Sequence, residues 1–270
     1  MNWRIPLFCL LGGLCFSVTG LGSGHVWWSF LAGILLTASL VPLVRFTRLR
    51  LTPRIAILAL VLIVIGIVCT VSEAIVFYPE TKPAMLKALI GGSVVYLVIS
   101  CVLAVLAGVL KLYSDADHVP ESRPIGIAFL MVPLGALSYV VYYMIFGALA
   151  FQLYTKQFYP HAAEQVGALG QWFWVYQFGR GLLMTLAILP AIYSLRLPRW
   201  KAAIAIGIVT WIAGGGASLL VPNDLMAAQQ RYAHIVEIFT QNFSLGVTAT
   251  LLLRRKAALI PAPVHVTTAA

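Results

Sequence analysis

The feature that most constrains this chain is the recurrence of long apolar runs along its whole length. Each run is long enough to cross a hydrocarbon core of about 30 Å at about 1.5 Å per residue. Because 61% of the residues are hydrophobic and only 10% are charged, a soluble fold could not hide this surface from water. The sequence predicts an all-α, polytopic transmembrane helix bundle of about eight spans. These are Ile5–Leu21, Val26–Val44, Ile55–Phe77, Ala88–Leu110, Ile125–Leu153, Trp172–Leu195, Ala202–Val221 and Tyr232–Leu253.

The net charge of +10 is explained by where the basic residues lie, so no nucleic-acid partner is predicted. They gather on alternate connections and at both ends of the chain, as the positive-inside rule requires. Both termini are therefore predicted to be cytoplasmic, in a multi-pass protein of the inner or plasma membrane whose constant partner is the lipid bilayer. The basic residues on that side are Arg4, Arg45, Arg48, Arg50, Arg54, Lys111, Arg123, Arg196, Arg199, Lys201, Arg254, Arg255 and Lys256.

The connections between the spans are short, which leaves no room for a separate domain outside the membrane. Residues 1–270 are predicted to form a single integral membrane domain, with a flexible cytoplasmic tail over residues 257–270. The first span also resembles a secretory signal peptide. Its retention is favoured because the residues before Gly24 make a poor A-x-A cleavage site.

The two halves of the chain resemble each other. The second and sixth spans share residues at a constant offset, and both run into similar basic turns. This pattern indicates a 4+4 parallel internal repeat with units 1–120 and 121–256, and shared sites tend to form where such halves meet. The matched residues are Phe30, Gly33, Leu35, Thr37 and Pro42 in the first half, and Phe178, Gly181, Leu183, Thr185 and Pro190 in the second.

Four ionisable residues lie inside otherwise apolar spans: Glu73, Arg180, His234 and Glu237. The predicted topology brings all four to a similar depth in the outer leaflet. Ionisable groups in a membrane are costly, so they face the bundle interior or a watery cavity. We expect this cluster to be a ligand site or an ion-pair cluster. Its supporting polar residues are Gln177, Arg231, Gln241 and Asn242.

The sequence leaves two roles for Arg180. It could neutralise Glu73 or Glu237 and lock two helices together. Alternatively, it could bind an anionic ligand group while one acid exchanges a proton and His234 tunes that exchange. The second role is favoured, because polar residues continue below His234 as far as Thr248, further than one ion pair needs.

These observations predict a small transporter, or a protein that binds a lipid or a small anion. One alternative is a membrane-embedded enzyme that uses His234 and Glu237, with or without a metal, although no catalytic residue can be assigned. Another is a non-catalytic membrane assembly or immunity-type subunit. No metal is predicted, because the third ligand would have to come from Glu73, His161 or Glu164 and the H-E-x-x-H signature is missing. Other cofactors and the oligomeric state are left open.

Overall fold

The computed structural model describes residues 3–113, 118–120, 123–158 and 162–255, and the predicted tail over 257–270 lies outside them. In the described residues the chain is helical and forms no strand. Lipid offers the backbone no hydrogen-bond partners, so an apolar chain of this kind bonds its N–H and C=O groups within helices. The helices are α1 (Arg4–Ser17), α2 (Val26–Arg45), α3 (Leu51–Phe77), α4 (Lys82–Val109), α5 (Ile125–Leu153), α6 (Ala162–Leu169), α7 (Gln171–Ser194), α8 (Arg199–Trp211) and α9 (Ala228–Leu253).

Six of these helices are long and apolar enough to cross a membrane, namely α2, α3, α4, α5, α7 and α9. The chain therefore forms a helical bundle, and its six apolar helices are consistent with a multi-pass membrane protein. The predicted count of eight spans is not confirmed, because α1 and α8 are shorter than the six helices that are long enough to cross a membrane. Together with the turn that follows it, α1 covers Arg4–Gly20, and α8 ends at Trp211, well before the predicted end of its span.

Helix α8 buries one face, whereas Trp200, Ile204 and Ile208 on it are exposed. Its small residues allow α9 to approach closely: Gly207 packs against Phe243, and Gly246 of α9 packs against Thr210. Small residues are typical of tight contacts between transmembrane helices, because they bring the two backbones together.

The end of α8 is set by three consecutive glycines. After Trp211 the chain makes wide π-type turns over Ile212–Gly216, and Gly214 and Gly215 leave helical geometry altogether. Gly215 has a φ of 141°, a conformation that residues with a side chain rarely adopt. The connection then passes through Ser218, which faces a cavity.

Two pairs of helices pack through equivalent residues. In both pairs a glycine of one helix meets a threonine of the other, and a second glycine meets an aromatic residue. The residues correspond at one constant offset between α1 and α5 and at another between α2 and α7. The contacts are Gly12 with Thr37 and Gly33 with Phe16 in the first pair, and Gly135 with Thr185 and Gly181 with Tyr139 in the second.

At one end of the bundle, which we call the basic end, arginine side chains bind the carbonyl groups at the ends of helices. Arg254 is 1% exposed and donates hydrogen bonds to the carbonyls of Ile192 and Leu195, where α7 ends. Arg123 and Arg199 donate to carbonyls in the last turn of α9. The last carbonyls of a helix have no partner within it. These arginines therefore cap the C-terminal ends of the helices at this side of the bundle.

Candidate functional site

A cavity of about 640 Å³ lies at the opposite end of the bundle, which we call the cavity end. It is lined by the ends of α3 and α5, the beginnings of α4, α7 and α9, the short helix α6 and the connection that follows α8. Its walls are mainly apolar and aromatic. The aromatic residues of the walls are Phe77, Tyr78, Tyr143, Phe151, Phe173 and Trp174, and the ionisable ones are Glu73, His234 and Glu237.

Two helices bring the three ionisable residues to this cavity. Glu73 lies in the last two turns of α3, and His234 and Glu237 lie in the first turns of α9. The i, i+3 spacing of the last two places them on one face of α9. Of the four predicted cluster residues, three line the cavity, and Arg180 lies behind Glu73 without lining it.

Arg180 and Glu73 form a bidentate ion pair. Nη1 of Arg180 is 2.7 Å from Oε1 of Glu73, and Nη2 is 2.8 Å from Oε2. The side chains are only 5% and 13% exposed. Parallel hydrogen bonds of this kind are the strongest contact between a guanidinium and a carboxylate. We expected Arg180 to bind an anionic ligand group, but both of its terminal nitrogens bind the protein's own carboxylate. The alternative role, an ion pair between two helices, is the one the geometry shows.

The surroundings of Arg180 enclose it further. Its Nη1 also donates to the side-chain oxygen of Gln177, at 3.1 Å. The rings of Tyr139 and Tyr176 lie 5.6 and 5.9 Å from the guanidinium carbon, within the range of cation–π attraction. The hydroxyl of Tyr176 donates to Ser72, one residue before Glu73. The arginine is therefore held by α3, α5 and α7 together.

Glu237 has a different set of partners. Its Oε2 is 3.0 Å from Nδ1 of His234, and its Oε1 accepts a hydrogen bond from Gln241 at 3.2 Å. In the described part of the chain, neither lysine nor arginine pairs with this carboxylate. Histidine changes its charge between about pH 5 and 8. The contact between Glu237 and His234 therefore involves a partner whose charge depends on pH.

The remaining predicted polar residues hold the backbone near the cavity. Arg231 donates to the carbonyls of Leu219 and Met226, and Asn242 donates to the carbonyl of Gly214. All three carbonyls belong to the connection between α8 and α9. Gln177 and Gln241 contact the charged pairs, whereas Arg231 and Asn242 fix the connection that forms one wall of the cavity.

Wide π-type turns surround the same region. One lies in α3 over Leu60–Cys69, shortly before Glu73, and another lies in α9 over Phe239–Phe243, shortly after Glu237. A third covers Tyr143–Gly147 in the wall formed by α5. Such turns are frequent at functional sites. Sequence reasoning did not find them, because apart from the glycines that follow α8 no residue pattern marks them.

Sequence reasoning also missed the aromatic residues that build the site. Phe173 and Trp174 line the cavity, and Tyr176 lies over Arg180. All three come from the first two turns of α7. Aromatic residues near the end of a span are usually explained by the membrane interface. Their clustering in one helical segment, four residues before Arg180, was the available signal.

A metal site receives no support from the described residues, where no three His, Cys, Asp or Glu side chains lie close enough to hold an ion. Glu73 is bound to Arg180, and Glu164 lies exposed on α6. His161 lies outside the described residues.

No family model, no curated protein and no solved structure matches this chain. Its function therefore has to be argued from the cavity itself.

Proposed function

We propose that this protein is a small transporter or binding protein that takes an amphipathic molecule into the cavity. The apolar body of the molecule lies against the aromatic walls, and a basic group meets Glu237. The proposal includes the orientation given by the positive-inside rule, with both chain termini cytoplasmic and the cavity open to the outside of the cell membrane.

The difference between the two acids of the cavity carries this proposal. Glu73 has both oxygens bound by Arg180, so this acid already has a cationic partner within the protein. Glu237 has His234 as its ionisable partner, so its charge is uncompensated whenever His234 is neutral. Between mainly apolar walls, opposite charges attract more strongly than in water. A ligand with a basic group therefore fits the cavity better than the small anion that the sequence favoured.

The pair of His234 and Glu237 also supplies a way to release such a ligand. When His234 takes up a proton, the imidazolium neutralises Glu237, and the basic group of the ligand loses its partner. Binding a proton and binding the ligand then exclude each other. A carrier of this kind exchanges its ligand for a proton at one site, a common use of ionisable groups within membranes.

The proposal also includes the internal repeat, in which the two halves of the chain are related. The recurring contacts of α1 with α2 and of α5 with α7 support them. In this alignment Tyr139 stands where the first half has Phe16, and Arg180 stands where it has Ala32. The polar site has then developed in one half only. Counting α1 and α8 as short spans gives eight crossings, which places both termini on the basic side.

The proposal is tested with two probes of matched shape and opposite charge, tetraphenylphosphonium and tetraphenylborate. Equilibrium binding is measured with the purified protein in lipid nanodiscs, and binding to empty nanodiscs is subtracted. We expect saturable binding of the cation and at least tenfold weaker binding of it in Glu237→Gln, since tenfold corresponds to only about 1.4 kcal/mol.

Glu80→Gln is the matched control, because Glu80 is an exposed acid that does not line the cavity. It should bind the cation as the unchanged protein does. Equal binding of the anion and the cation, or an undiminished affinity for the cation in Glu237→Gln, would rule the proposal out.

A membrane enzyme is the second candidate. The observation that favours it is the 3.0 Å contact between His234 and Glu237, which suits a general acid and base. The two probes do not separate the candidates, because Glu237 belongs to both. Turnover separates them: an enzyme would change the lipid chemically, whereas a carrier or binding protein would leave the lipid intact.

A further inference from the structure

A second cavity, of about 590 Å³, lies at the basic end between the start of α3 and the end of α4. Three arginines line it, and among the described residues that line it none is acidic. The arginines are Arg48, Arg50 and Arg54, and the other lining residues are Leu49, Leu51, Ala104, Val105, Gly108, Val109 and Tyr113. We call this cavity the arginine pocket. It is independent of the cavity proposed to hold the amphipathic ligand.

Arg54 is the buried charge of this pocket, with 4% of its surface exposed. Its terminal nitrogens donate to the carbonyls of Ala104 and Leu49, at 3.2 and 2.7 Å. Its guanidinium carbon lies 4.7 Å from the centre of the Tyr113 ring. Its Nε has no hydrogen-bond partner in the described part of the chain. Among the described residues, this buried cation has carbonyl and aromatic partners and no acidic one, which leaves a positive potential in the pocket.

The first turn of α3 adds to this potential. The helix starts at Leu51 directly after Arg50, whose side chain is exposed, and its first turn contains no acidic residue. The N-terminus of a helix carries a partial positive charge and free N–H groups, which favour anions, phosphate groups in particular. Arg50, Arg54 and the helix end therefore act on the same space.

An exposed apolar stripe on α4 leads into the pocket. It follows the helical spacing of three and four residues, so its side chains lie on one face. Its last two members, Val105 and Val109, also line the pocket, and they are 47% and 70% exposed. The stripe consists of Val94, Val98, Val102, Val105 and Val109.

We infer that the arginine pocket binds the phosphate of an anionic phospholipid, with an acyl chain lying along the valine stripe of α4. The basic residues recognise the charge of the head group, as basic pockets between transmembrane helices do. The stripe selects a lipid over a soluble phosphate, because it joins the charged pocket to a surface that only a hydrocarbon chain would cover. The site uses no residue of the cavity around Glu237, so it can fail or hold independently of the proposed function.

The test is a titration of the delipidated protein with phosphatidylglycerol, followed by native mass spectrometry, with phosphatidylcholine as the zwitterionic comparison. We expect phosphatidylglycerol to bind more tightly than phosphatidylcholine. Arg50→Gln should weaken its binding about fivefold, since a basic residue near anionic lipid contributes about 1 kcal/mol. Arg255→Gln is the matched control, because Arg255 is exposed and lies outside the pocket. It should bind phosphatidylglycerol as the unchanged protein does.

Gly108→Val tests the shape of the pocket without changing its charge. A Cβ at Gly108 would sit 3.5 Å from the hydroxyl of Tyr113 and 3.8 Å from Nη1 of Arg54, so the first carbon fits and the rest fills the pocket. Binding of phosphatidylglycerol should weaken in this variant as well.

Three results would overturn the inference. The first is equal affinity for the two lipids, and the second is a loss in Arg255→Gln as large as that in Arg50→Gln, which would indicate general surface attraction. The third is displacement of the lipid by inorganic phosphate or glycerol phosphate at equal concentration, which would make the pocket a site for a soluble phosphate.

Discussion

The two ends of this bundle treat buried charge in different ways. At the basic end, Arg54 and Arg254 bind backbone carbonyls, and arginine side chains cap the helix ends there. At the cavity end, Arg180 and Glu237 bind other side chains within an incompletely filled interior. At the basic end charged side chains bind backbone carbonyls, and at the cavity end they bind other side chains beside the cavity.

The two ends therefore differ in the partners of their buried charges. A backbone carbonyl cannot change its charge, so a contact with one is permanent. A carboxylate or an imidazole can take up or lose a proton, so a contact between them can be switched. Fixed contacts with backbone carbonyls therefore predominate at the basic end, whereas the cavity end also holds a contact between two groups that can change their charge.

The largest effect is expected from Arg254→Ala. The side chain donates to three carbonyls, those of Ile192, Leu195 and Leu197, and is 1% exposed. Each buried acceptor left without a donor costs about 1 to 3 kcal/mol, so the free energy of unfolding should fall by roughly 4 kcal/mol or more. It is measured by titration with sodium dodecyl sulfate in mixed micelles.

Arg255→Ala provides the control for that measurement, since the neighbouring arginine is exposed. Its effect should stay within about 0.5 kcal/mol, as for most surface substitutions. A similarly small loss of unfolding free energy in both variants would contradict this account, because the buried arginine would then not be what caps the helices at the basic end.

A smaller loss is expected from Arg180→Ala. Removing one partner of a buried ion pair costs about 3 to 5 kcal/mol in soluble proteins. Here the lower end of that range is expected, roughly 3 kcal/mol, because Glu73 borders the cavity and can be hydrated or take up a proton. The double variant Arg180→Ala with Glu73→Gln should recover much of the loss in the same unfolding titration.

The contrary outcome for Arg180 is also informative. Unchanged stability in Arg180→Ala, combined with a loss of tetraphenylborate binding, would return this residue to the anion-binding role that the sequence favoured. Arg180 would then be an arginine that binds the ligand at the cavity end.

Much of the fold follows from the sequence, because apolar length alone determines where helices lie in a membrane. The second predicted span, Val26–Val44, differs from α2 by one residue. The seventh predicted span is not one helix, because the backbone leaves helical geometry at Gly214 and Gly215. Whether glycines unwind a helix depends on the room that neighbouring helices leave for the backbone. Sequence composition reports the glycines but not the space around them.

The site follows from the sequence only in part, for a similar reason. Burial cost indicates that Glu73, Arg180, His234 and Glu237 belong to the interior, and three of them line one cavity. Which acid pairs with Arg180 depends on how α3, α7 and α9 are rotated and which of them are neighbours. Residue spacing along one helix carries no information on either, whereas the contact between His234 and Glu237 lies within one helix and does follow from spacing.

The central claim is that the cavity holds water and opens to the outside of the cell, opposite the basic end. It is tested by thiol labelling in a variant without Cys9, Cys15, Cys69 and Cys101. Ser218→Cys is placed in the cavity wall, and Thr52→Cys is placed at the exposed start of α3. In intact cells a membrane-impermeant maleimide should label Ser218→Cys and leave Thr52→Cys unlabelled until the membrane is permeabilised. Labelling of Thr52→Cys alone in intact cells would reverse the orientation, and protection of Ser218→Cys under both conditions would show a cavity closed to water.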